Sequence, residues 1–288
     1  MASVADKKLT GLVAATFTPL TPQGEINLSE IGPYIDYLTE KQGVNSIFVN
    51  GTTGESMSLS VRERKILAEE WCQKVIVHVG CMSLKDSQEL ACHAEQIGAD
   101  GIAVIAPSFF KPSTAEVLRA FLQEVATVAP TMPFYYYHIP AVTGVTDVLK
   151  DIEKLIPSFR GVKFSGSDLM DFGQCVSYSQ PHWSLLYGVD EQMLAALALG
   201  AHGAVGSTYN YIGCHVNKLI SAFNNGDLVQ ARKIQVPSIT RFNLGVNKQL
   251  MIDVSGLNLG PPRLPVMPCP LDRAQAIAQK YLSIFPAC

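Results

Sequence analysis

Charge is scarce in this chain. Of 288 residues, 22 are Lys or Arg and 25 are Asp or Glu, 16% in all, against about 25% in an average globular sequence. The net charge of −3 leaves no basic footprint for nucleic acid and no tract to hold an anionic membrane. No apolar run approaches the roughly 18 residues of a membrane-spanning helix. The segment Met1–Leu9 carries Asp6, Lys7 and Lys8 where a secretory signal would have its apolar centre. The seven cysteines, at 72, 81, 92, 175, 214, 269 and 288, form no Cys-x-x-Cys pair, which predicts free thiols in a reducing compartment and a cytoplasmic protein. Zinc-ligand spacings, the Gly-x-Ser-x-Gly elbow and a Walker loop are all missing, so no metal is expected. Of the histidines at 78, 93, 138, 182, 202 and 215, only His138 falls at the end of an apolar run.

What is present is a hydrophobic content of 48%, enough to bury a large core. Eight short apolar runs recur: Leu12–Ala15, Ser46–Val49, Val75–Val79, Gly101–Ile105, Phe134–Tyr137, Gly161–Phe164, Leu185–Gly188 and Gly203–Gly206. Such runs read as parallel strands buried on both faces. Amphipathic stretches follow them, at Leu28–Glu40, Ser60–Gln73, Leu84–Ile97, Ala115–Val128, Asp147–Ile156, Leu169–Tyr178, Glu191–Leu199 and Cys214–Phe223. Ser60 with Glu63 forms a capping box, and Gly98, Gly200 and Gly226 stand where helices should end. The pattern predicts an α/β fold, a (β/α)8 TIM barrel over 1–225. A C-terminal helical extension of the same domain is predicted over 226–288, with helices at Leu228–Phe242 and Asp272–Phe285.

Barrel enzymes work at the C-terminal ends of their strands, and reactive side chains gather there. Lys163 closes the sixth run in Gly161-Val162-Lys163-Phe164. Burial lowers a lysine pKa, and the neutral amine adds to ketones to form a Schiff base; alternatively the side chain reaches solvent or pairs with a carboxylate. In Phe134-Tyr135-Tyr136-Tyr137-His138, alternation puts Tyr135 and Tyr137 on one face and Tyr136 on the other. Tyr137 is a candidate for moving protons, and Tyr136 for packing between barrel and helices. Gly51-Thr52-Thr53-Gly54 reads as a nest for a small carboxylate or as an ordinary turn. Gly188-Val189-Asp190-Glu191 offers acceptors to a polyol, or is an acid-rich helix start. Gly206-Ser207-Thr208-Tyr209-Asn210 could cradle a phosphate, lend one hydroxyl to the site, or cap a helix.

Gly-Thr-Thr-Gly-Glu after strand two, Tyr-x-Ile-Pro after strand five and a lysine ending strand six together resemble the N-acetylneuraminate lyase and dihydrodipicolinate synthase superfamily of class I aldolases. The resemblance runs from about Gly11 to Arg263. It implies Lys163 as the Schiff-base lysine and Tyr137 as the proton-transferring residue. It implies Thr52 and Thr53 as holders of the pyruvate carboxylate, and Ser165, Gly188, Asp190, Glu191 and Ser207 as binders of the remaining substrate. Ala141-Val142-Thr143-Gly144 lacks the arginine of the synthases and is similar to the sialate-cleaving branch, as is Tyr-Tyr-Tyr-His-Ile-Pro. The implied reaction is cleavage of sialic acid to N-acetylmannosamine and pyruvate, with no cofactor and with a homotetramer as assembly. The alternatives are another pyruvate aldolase of the superfamily or an inactive barrel serving as a binding subunit.

Three departures from the family pattern stand out. Phe109 and Phe110 occupy the place of a tyrosine that many members lend to a neighbouring subunit. Gln73-Lys74 joins directly to Val75, and the chain is also short before the fifth helix. The stretch Arg241–Val254 is short as well.

Overall fold

Eight short strands are hydrogen-bonded in sequence order into a closed parallel barrel: β1 (Gly11–Ala15), β2 (Ser46–Val49), β3 (Val75–His78), β4 (Gly101–Ile105), β5 (Phe134–His138), β6 (Phe159–Phe164), β7 (Ser184–Tyr187) and β8 (Gly203–Gly206). The computed structural model describes residues 8–71, 75–235 and 242–286. Every residue of β3, β4, β5, β7 and β8 is buried, as expected of strands covered on both faces. The expected strands are all present. β6 begins two residues early, because Phe159 packs on Trp183 with ring centroids 4.7 Å apart and anchors the strand start.

The helices are α1 (Ile31–Asp36), α2 (Val61–Glu70), α3 (Leu84–Gln96), α4 (Ala115–Thr127), α5 (Pro140–Thr143), α6 (Ile152–Leu155), α7 (Leu169–Ser177), α8 (Met193–Leu199), α9 (Tyr209–Asn224), α10 (Leu228–Gln235), α11 (Leu244–Ser255) and α12 (Leu271–Ile284). Ser60 caps α2 with both bonds of its capping box formed. Gly98, Gly200 and Gly226 all take positive φ just past a helix, as helix-ending glycines do. The segment Leu28–Glu40 is helical but broken into a 3-10 turn, α1 and a π turn.

Some expectations need correction. The helix expected over Asp147–Ile156 shrinks to α6, because Asp147 and Asp151 have φ of 59° and 57°, and left-handed residues cannot continue a right-handed ladder. Helix α9 starts five residues before Cys214. Helix α11 was not expected at all; Asn243 caps it, its side chain accepting from Val246 N at 2.9 Å. Cys81, Cys92, Cys175 and Cys269 are free, but Cys214 is held in a disulfide, since sequence spacing says nothing about which cysteines meet in space. Helix α10 is described to Gln235, and Phe242, where it was expected to end, is not helical; residues 236–241, the junction at Gln73-Lys74, Cys72 and Cys288 lie outside the described residues.

The chain forms two compact units. One comprises residues 8–11 and 75–205, with β3 to β7 and most of β8. The other comprises 12–71, 206–235 and 242–286, with β1, β2 and the C-terminal helices. In the second, Val246 of α11, Cys269 and Ala274 of α12 form a small apolar cluster joined by Phe242 and Ile277.

Candidate active site

In the first unit the site begins with strand alternation. Phe164 is fully buried, and its ring lies 5.3 Å from both Phe172 of α7 and His138, so it faces the helix layer. Lys163, one residue earlier, therefore points to the opposite face. Tyr136 and His138 likewise face the helices. Tyr136 Oη lies 3.1 Å from His138 Nδ1, and His138 Nε2 lies 3.4 Å from Asp171 Oδ2. Tyr137, between them, shares the face of Lys163. The two residues are direct partners in the β5–β6 register, and Lys163 Nζ sits 3.9 Å from the centroid of the Tyr137 ring.

Lys163 is 4% exposed, so the alternative of a solvent-reaching side chain is set aside. Burial pulls its pKa below the ordinary lysine value, opposed in part by Tyr137 and by the Asp190 carboxylate. This environment makes a neutral amine accessible nearer to neutrality.

His78 meets Tyr137 edge-on, with ring centroids 5.7 Å apart. Sequence reasoning missed it: with β3 drawn to Val79, the histidine looked internal, whereas it closes the strand. His78 thus ends a strand as His138 does, and His138 itself faces the helix layer.

The loops after β6 and β7 lie against each other. Gly188 N donates to Phe164 O at 2.7 Å, and Ser165 N to His138 O at 2.8 Å. A Cβ at Gly188 would overlap Ser165 Oγ, so glycine is what lets the hydroxyl sit there. Tyr187 Oη lies 2.9 Å from Gly166 O and 2.7 Å from Gln192 Oε1. Asp190 and Glu191 stand half-buried in a 3-10 turn ahead of α8.

In the second unit, Thr52 and Thr53 follow β2 and Ser207 follows β8. Thr53 is 9% exposed and Thr52 is exposed. Their turn is closed by Glu55 N donating to Thr52 O at 3.1 Å and Ser56 N to Gly51 O at 3.3 Å. Thr18 Oγ1 donates to Gly54 O at 2.6 Å, and a Cβ at Gly54 would sit only 3.1 Å from Thr16 O, so glycine permits this close seating on the β1 loop. Asn210 is structural: its Nδ2 donates to Ala15 O and Ser207 O, both at 2.7 Å, and its Oδ1 accepts from Tyr34 Oη at 2.6 Å. Thr208 precedes α9 without a side-chain cap bond.

Among the described residues, no group of three His, Cys, Asp or Glu is placed to hold a metal ion, and no helix is long and apolar enough to cross a membrane. A dehydrated amine beside a phenol, on adjacent strands of a (β/α)8 barrel, is the equipment of an enzyme that handles carbonyl compounds through an imine.

Comparison with known proteins agrees. The profile of the Dihydrodipicolinate synthetase family matches residues 8–281, and the chain belongs to that family. It is 63% identical over 294 residues to the N-acetylneuraminate lyase of Danio rerio, covering 95% of this chain and 96% of the relative. That aligned length exceeds the 288 residues of the chain, so the relative carries residues that have no counterpart here. The solved N-acetylneuraminate lyase (sialic acid aldolase) of Aliivibrio salmonicida superposes with a TM-score of 0.91 at 34% identity, over 96% of this chain and 97% of that one. A catalytic lysine mutant of the Ruminococcus gnavus sialic acid aldolase superposes at 0.88 with 29% identity, over 96% and 95%.

Proposed function

We propose that this protein is a class I aldolase that cleaves N-acetylneuraminate reversibly to N-acetylmannosamine and pyruvate. The observation that carries the reading is Lys163, buried and paired in register with Tyr137, its Nζ 3.9 Å from the phenol ring centroid. The relatives' names as sialic acid lyases and aldolases support the substrate, and the Ruminococcus structure is described by its own catalytic lysine.

In this reading the open-chain keto acid is held by its carboxylate on Thr52 and Thr53. The neutral Lys163 amine adds to the C2 ketone, and the departing hydroxyl takes the Tyr137 phenol proton and leaves as water, giving a protonated imine beside a Tyr137 phenolate. Tyr137 accepts the C4 hydroxyl proton while the C3–C4 bond breaks, its electron pair flowing into the imine to give an enamine. N-acetylmannosamine departs as the aldehyde. Protonation of the enamine at C3 and addition of water at C2 release pyruvate and restore the amine. Ser165, Gly188, Asp190, Glu191 and Ser207 hold the hydroxylated chain. The imine is itself the electron sink, so the reaction calls on no metal or organic cofactor. The protein acts as a cytoplasmic homotetramer, with residues 226–288 extending the barrel domain.

The test is borohydride reduction in the presence of pyruvate, read by mass spectrometry, followed by product analysis with N-acetylneuraminate. The expected result is one pyruvate-derived adduct on Lys163, absent in Lys163→Ala, and formation of N-acetylmannosamine. An adduct that persists in Lys163→Ala overturns the lysine. Trapping without cleavage of N-acetylneuraminate overturns the substrate.

A further inference from the structure

The Thr52–Thr53 turn is bracketed by two residues that are not glycine yet adopt left-handed backbone: Asn50 at φ 59° and Glu55 at φ 58°. Such a conformation persists only where the surroundings over-determine it, and it concentrates at functional sites. Asn50 is secured by its Nδ2 donating to Arg64 O at 2.8 Å. Glu55 is secured from far along the chain. Its side chain and that of Lys248 are both 0% exposed, and Lys248 Nζ donates to Glu55 Oε1 at 3.0 Å. Arg263 N donates to Glu55 Oε2 at 2.6 Å, and Lys248 Nζ also donates to Pro261 O at 3.1 Å. The Arg263 guanidinium is tied in turn to Glu63 Oε1 at 2.7 Å and to Ser58 O at 2.9 Å.

A fully buried ion pair is a poor way to gain stability, because apolar residues of similar volume commonly do as well or better. Its value lies in fixing geometry. We infer that Lys248 and Glu55 are positioning residues: through two charge-assisted bonds on the Glu55 carboxylate, and a third from Lys248 to Pro261 O, α11 and the Pro261–Arg263 loop hold the Gly51–Gly54 turn in the shape that receives the substrate carboxylate. This role rests on the reading of Thr52 and Thr53 as the carboxylate holders.

Pyruvate-dependent trapping by borohydride separates affinity from imine chemistry. Its half-saturating pyruvate concentration reports carboxylate binding, and its limiting rate reports Lys163. Lys248→Met should raise the half-saturating concentration roughly tenfold, the scale of one lost charge-assisted hydrogen bond, with the limiting rate within about twofold of the parent. Because Lys248→Met strands a buried carboxylate and can cost folding, Lys248→Met/Glu55→Gln is measured beside it. It should recover thermal stability while keeping the raised half-saturation, since a merely structural pair would move the melting temperature alone. Thr53→Val is the reference for the carboxylate reading. A raised value in Thr53→Val with a parental value in the folded double variant overturns the positioning role alone. A parental value in Thr53→Val overturns the carboxylate reading on which it rests.

Discussion

Lys163 and Tyr137 face one another across the β5–β6 register, with the amine 3.9 Å from the centre of the phenol ring. The relationship is fixed by alternation on two neighbouring strands. The residues flanking each are committed outward: Phe164 into an aromatic cluster with Phe172 and Tyr187, Tyr136 and His138 toward Asp171. The inward pair has no freedom to turn away without emptying that packing. Dehydration of the amine thus follows from the fold itself, and the neighbouring phenol and Asp190 moderate it.

The first prediction concerns stability against pH. Folding depresses the Lys163 pKa, so in the interval above the folded-state value the unfolded chain keeps a proton that the folded protein has lost. The cost of burying this group is fully present below the folded-state pKa and fades as pH rises from there toward the ordinary lysine value of about 10.4. Lys163→Met removes the cost and keeps the volume. It should melt above the parent near neutral pH, by about 2–4 °C if the gain is about 1 kcal/mol, and the gap should narrow as pH rises. Thermal melts of both proteins across pH check this, and a gap that is constant with pH would show a lysine titrating normally.

Tyr137→Phe keeps the ring beside Nζ and deletes only the oxygen. Cleavage of N-acetylneuraminate should fall by about 10²–10⁴-fold, the usual worth of a general acid–base group, while the pyruvate imine still forms and is trapped by borohydride. Steady-state kcat alongside trapping yield separates the two steps. A Phe variant with parental kcat would remove the phenol from the proton path.

The barrel and its lysine were legible in the sequence for one reason: a parallel strand buried on both faces leaves little place for a charge, so Lys163 stood out within Gly161–Phe164. The Gly51–Gly54 turn was legible too, but what fixes it was not. Lys248 lies 193 residues from Glu55, on a helix whose buried residues include Val246, Asn247, Lys248, Leu250 and Met251, a set too mixed to show an apolar stripe. The left-handed Asp147 and Asp151 hid the shortness of α6, since pattern reasoning assigns backbone by residue type. His78 escaped because its importance depends on the Tyr137 ring, which belongs to a strand two places along the barrel.

Gly188 offers a steric test of the proposed polyol-binding role of the loops after β6 and β7. Adding one methyl there collides with Ser165 Oγ and drives that hydroxyl to another rotamer. Gly188→Ala should raise KM for N-acetylneuraminate about five- to tenfold, the scale of one hydrogen bond of about 1 kcal/mol, and leave pyruvate trapping unchanged. Ser165→Ala should show a similar rise, and the double variant should add little to either, because all three remove the same hydroxyl. Additive effects would place Gly188 outside the action of Ser165.

Asp190 should have two separable effects. Its carboxylate favours the charged form of Lys163, and it stands half-buried in the turn after β7, where it can accept from a substrate hydroxyl. Asp190→Asn keeps the shape and removes the charge. The Lys163 pKa should then fall further, so the amine is neutral at lower pH and the acid limb of the pyruvate-trapping profile moves toward lower pH. Turnover of N-acetylneuraminate should weaken about tenfold, because a charge-assisted hydrogen bond to the polyol is replaced by a neutral one. The trapping profile against pH reads the first effect without any polyol present, and kcat/KM with N-acetylneuraminate reads the second. A profile that stays in place while kcat/KM falls would limit Asp190 to substrate binding. A shift toward higher pH would contradict the electrostatics outright, since removing a nearby anion cannot make an ammonium group easier to keep.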